Sequence, residues 1–91
     1  MLLGDLIVRL RDETVVSETL QSLGDLALTA RVVAQAGDRN MSAGEFSVQA
    51  LDDFVASAGD DEWLTLLGRM SRSDDPGGVF LRFVLSRGAP A

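Results

Sequence analysis

The residues of this chain that could do chemistry are almost all carboxylates. Residues 45 to 62 hold Glu45, Asp52, Asp53, Asp60, Asp61 and Glu62 with no basic residue among them. Two carboxylates can divide acid and base roles when an apolar pocket raises the pKa of one of them. Asp60, Asp61 and Glu62 stand instead where a helix should begin, and a helix N-terminus favours the charged form. The cluster reads as a solvated face with helix-start charges. Its functional use would be a docking patch for a protein with a basic surface, because such patches speed and orient encounter. Residues 63 to 91 reverse the sign, setting Arg69, Arg72, Arg82 and Arg87 against Asp74 and Asp75.

Two shorter patterns invite ligands. Asp38, Ser42, Glu45 and Phe46 fall where an EF-hand calcium loop has its fifth, ninth, twelfth and thirteenth positions. The first and third ligand positions are then Ala34 and Ala36, and Arg39 replaces the turn glycine, so the leading carboxylates are missing. Ser42 and Glu45 also make an S-x-x-E capping box, which explains them without a metal. The Asp75-Pro76-Gly77-Gly78 turn offers bare backbone at a helix start, an arrangement that can accept an anion. Asp74 and Asp75 already supply negative charge there and no Lys follows, so a rigid helix start is the better reading.

Composition removes further chemistry. Cys, His, Lys and Tyr are absent, which excludes disulfides, the usual zinc sites, a Ser-His pair, a Schiff base and a phenolic acid. No catalytic, cofactor-binding or metal-binding residue is assigned, and no cofactor is called for. The net charge is −6 and the pI near 4.3. Neither nucleic acid nor an acidic membrane surface suits that balance. No apolar run is long enough to cross a bilayer, and a cytoplasmic location is expected. Arg as the only base fits the coding bias of a small GC-rich bacterial protein.

Helical spacing dominates the pattern. Residues 2 to 10 place Leu2, Leu3, Leu6, Ile7 and Leu10 on one face. Asp12 is suited to cap a segment whose apolar positions run Val16, Leu20, Leu23, Ala27, Ala30 and Ala34. Residues 12 to 36 could be one helix, but Gly24 followed by Asp25 favours two. Gly37 should close that segment, and the small residues at 27, 30 and 34 would let another helix come close. At Met41 to Phe46 the capping box coincides with a hydrophobic staple, and the helix that follows should bury Phe46, Ala50, Leu51, Phe54, Val55 and Ala58. Gly59 ends it and Asp60 caps the next, which buries Trp63, Leu66, Leu67 and Met70. Asp75 and Pro76 look like N-cap and first residue of a last helix ending at Gly88.

Leu26 to Ala58, a helix, short loop and capped helix, resembles the two-helix part of ribbon-helix-helix regulators. Those proteins read DNA with a strand before the first helix. Here Val16 to Leu23 reads as helix and carries Glu18. A helix-turn-helix reading meets a separate objection, because its recognition helix would hold Glu45, Asp52 and Asp53 with no Arg.

The sequence therefore predicts an all-α protein: one domain over residues 1–91, a compact bundle of five or six short helices with a frayed tail at 88–91. The expected function is a non-catalytic protein-interaction or adaptor module that self-associates. The alternative is a small transcriptional regulator or antitoxin-like protein, favoured if Arg9, Arg11, Arg31 and Arg39 share one face. Val79, Phe80, Phe83 and Val84 make the last helix apolar most of the way round, more than a single buried stripe needs. They are the expected surface of a homodimer, alongside the acids Asp52, Asp53, Asp60, Asp61 and Glu62 for a basic partner.

Overall fold

The computed structural model describes residues 3–88. Among them are six helices and no strand: α1 (Leu3–Leu10), α2 (Glu13–Ser22), α3 (Leu26–Asp38), α4 (Ala43–Ser57), α5 (Asp60–Ser71) and α6 (Pro76–Gly88). The all-α bundle expected from the spacing is a six-helix bundle. Leu2 and residues 89–91, assigned above to the first helix and the frayed tail, lie outside the described residues. No helix among those described is long and apolar enough to cross a membrane.

Side-chain caps set most of the boundaries. Asp12 accepts the N–H of Thr14 at 2.9 Å to start α2, and Asp25 accepts that of Leu28 at 3.0 Å to start α3. Gly24, at φ 65°, makes the left-handed break between them. Ser42 and Glu45 form the reciprocal capping box of α4: Ser42 Oγ accepts the Glu45 N–H at 3.0 Å and the Glu45 carboxylate accepts the Ser42 N–H at 3.2 Å. Asp75 caps α6 by accepting the Gly78 N–H at 3.1 Å. A side chain at Gly78 would strike that carboxylate and Leu23, so glycine there admits both the cap and the neighbouring turn.

Two boundaries differ from the sequence reading. Gly37 lies inside the last turn of α3, and the left-handed residue is Asn40 at φ 57°. The Met41 N–H reaches the Ala36 carbonyl and the Asn40 N–H reaches that of Gly37, the Schellman closure that asparagine tolerates. At α5 the cap position belongs to Gly59, and Asp60 is the first helical residue. Glu62 supplies the missing side chain by accepting the Gly59 N–H at 3.1 Å.

α4 packs against α2, α3 and α6, while α6 also touches α2, α3 and α5; α1 rests on α2 and α5 on α6. One core results, drawing buried side chains from all six helices, with Phe54, Phe80, Leu51 and Leu66 among those shut off from solvent. The accessible surface of 5436 Å² is close to the roughly 5,100 Å² expected at this mass. The break at Gly24 also changes which face of α3 is inside. Leu28, Val32 and Ala36 are buried, so Ala27, Ala30 and Ala34 do not continue the core stripe of α2 and face solvent instead. On α5 the same correction applies to Leu67, which is 41% exposed rather than buried.

Candidate functional site

α6 has the apolar surplus read from its sequence, but the bundle covers most of it. Phe80 and Val84 are 0% and 2% exposed and belong to the core, so neither can form the dimer surface expected of them. The apolar surplus is buried because four helices, α2, α3, α4 and α5, close around α6. Only Val79 and Phe83 stay half-buried, and they lie in a groove between α5 and α6 of about 450 Å³.

Helical periodicity builds this groove. Val79, Arg82, Phe83, Ser86 and Arg87 follow the three-and-four spacing that puts side chains on one face of α6, and Glu62 and Arg69 stand seven residues apart on α5. Val79 and Phe83 form an apolar floor, and three arginines surround it. Arg69 stacks over the Phe83 ring at 5.4 Å from its centroid and has no carboxylate partner among the described residues. Arg82 comes within 3.9 Å of Asp25, a long and exposed pair. Arg87 lies over Phe54 at 5.1 Å and binds Glu62 through both Nε and a terminal nitrogen.

Glu62 is held below its ordinary pKa, first by the hydrogen bond from Arg87, then by the Gly59 N–H; partial burial opposes both. It is a fixed carboxylate and, at neutral pH, no proton donor. The groove can therefore hold a segment of apolar surface against Val79 and Phe83 and meet acidic groups with Arg69 and Arg82.

The other acids do not join this site. Asp52 pairs with Arg11 at 2.9 Å, between α4 and the end of α1. Asp53, Asp60 and Asp61 are exposed, the latter two in the first turn of α5. Glu45 is committed to the capping box, and Asp38 ends α3. Among the described residues no three acids are grouped to share a cation. Val16 to Leu23 lies in α2 and its end, where the ribbon-helix-helix pattern would need a strand. Of the arginines that could have made a DNA-binding face, Arg11 is engaged with Asp52 and Arg39 stacks on Phe46 at 5.3 Å.

In the sequence Arg69 and Arg82 show only as part of the arginine excess after residue 62, a signal that does not place them on one groove. Comparison with protein-family models, curated proteins and solved structures gives no match to this chain.

Proposed function

We propose that the chain is a non-catalytic, cytoplasmic protein-interaction module whose α5–α6 groove takes an acidic, partly apolar segment of another protein. The observation that supports this reading is the arginine rim around an exposed part of the apolar floor, in a chain of net charge −6. Arginine beside an aromatic ring is the combination that interfaces favour, since its guanidinium can stack and still donate to carboxylates. Arg69 meets that description, being stacked on Phe83 and free of any acid among the described residues.

Binding rather than turnover is favoured by the absence of Cys, His, Lys and Tyr from the whole chain and by a Glu62 that stays ionised. Backbone amide shifts tested by NMR should move along residues 79 to 87 when an amphipathic helical peptide carrying leucines flanked by glutamates is added. Shifts confined to other helices, or none, would reject the groove. Self-association is the second half of the proposal and uses a different face, on α3.

A further inference from the structure

α3 is apolar on two opposite faces. Leu28, Val32 and Ala36 turn into the core, and Leu26, Ala27, Ala30, Val33, Ala34 and Gly37 are all exposed. Their spacing puts these six on one continuous sector of the helix, with no charge among them. Leu26 is 84% and Val33 55% exposed. Such a face on a small protein marks a contact surface, and Ala30, Ala34 and Gly37 would let a second helix approach closely. An added Cβ at Gly37 meets nothing within 4 Å, so this small residue is not required by packing inside the chain.

The charges beside this face say what covers it. Arg31 and Asp38 border the sector on the same side, seven residues apart, which separates them by about 10.5 Å along the helix and about 20° around it. Among the described residues neither forms an ion pair or a side-chain hydrogen bond. We infer that α3 pairs with α3 of a second copy, antiparallel about a two-fold axis near Ala34 and Gln35. In that register Arg31 of each copy meets Asp38 of the other. The flank is self-complementary, as a two-fold interface requires. Ala30, Ala34 and Gly37 line the crossing, and Leu26 reaches the corner between α3 and α4 of the second copy. This goes beyond the groove on α5 and α6, which no α3 residue lines.

Charge reversal tests the pairing directly. Light scattering on a size-exclusion column should give the full chain a mass approaching twice 9.7 kDa as concentration rises through the micromolar range. Arg31→Asp and Asp38→Arg should each weaken the dimer about tenfold or more, because each change acts twice across the axis. Mixing the two single variants should restore the dimer, and so should placing both changes in one chain. Circular dichroism should show each variant still helical, as expected for exposed residues without partners. A mass of 9.7 kDa throughout the concentration series, single variants that dimerise like the parent, or a mixture that does not recover would each overturn the pairing. Arg69→Glu should leave the dimer mass unchanged, so the outcome is independent of whether the groove binds.

Discussion

Phe54 of α4 and Trp63 of α5 meet edge to face with ring centroids 4.9 Å apart, across the two-residue connection between their helices. Phe54 also meets Phe80 and Phe83 of α6 at 6.1 and 5.8 Å, so one ring joins three helices and reaches the floor of the groove. Phe54→Ala should cost roughly 3–5 kcal/mol, a large share of the stability of a domain this size. Trp63 is the single tryptophan, and its fluorescence during urea unfolding would read the loss. An unchanged midpoint would contradict this packing.

The start of α4 is specified twice, by a reciprocal capping box and by Met41, which packs against the core that Phe46 belongs to. Ser42→Ala should lower stability by about 1 kcal/mol, seen as a lower midpoint in a thermal melt with the helical signal retained at low temperature.

Glycines on exposed and packed helix faces should respond with opposite signs. Gly68 faces open space, so Gly68→Ala should raise stability by up to about 1 kcal/mol through helix propensity. At Gly44 a Cβ would sit 2.8 Å from Ser17 Oγ and 3.2 Å from the Glu13 carbonyl on α2. Overpacking of this kind typically costs about 1–3 kcal/mol, so Gly44→Ala should destabilise despite the better propensity. Paired denaturant curves would show the two midpoints moving apart.

Glu62 gives the pH dependence a direction. Its pKa is lower folded than the ordinary 4.5 because Arg87 and the Gly59 N–H favour the ionised form. The stabilisation is therefore complete above that value and is lost as pH falls through the folded pKa. Glu62→Gln should melt earlier than the parent at neutral pH, and the gap should close as the pH drops below 4.5. A gap that stays constant into acid would show that the carboxylate charge contributes nothing.

Much of this fold was legible in local patterns. Asp12, Ser42 with Glu45, and Asp75 with Pro76 each mark a helix start through groups that act within a few residues, and all three hold. What local pattern could not supply was the rotation between helices. Val16, Leu20 and Leu23 lead in unbroken spacing to Ala27, Ala30 and Ala34, yet a single left-handed Gly24 turns α3 so that Leu28 and Val32 face inward instead. The α6 residues show the same limit. Phe80 and Phe83 have the same side chain, and only the arrangement of the other helices decides that the first is core and the second is groove. Arg69 and Arg82 come together from separate helices, a proximity without a sequence signature.

The α5–α6 groove is proposed to recognise acidic, partly apolar segments through its arginine rim. Fluorescence anisotropy with a labelled amphipathic peptide, leucines four residues apart and flanked by glutamates, measures that recognition. The full chain should bind this peptide, more weakly as salt rises, and should ignore the same peptide with lysines in place of the glutamates. Arg69→Glu should weaken binding about tenfold or more while leaving the fold intact. Equal binding of the acidic and basic peptides, or undiminished binding by Arg69→Glu, would rule out recognition through this arginine rim.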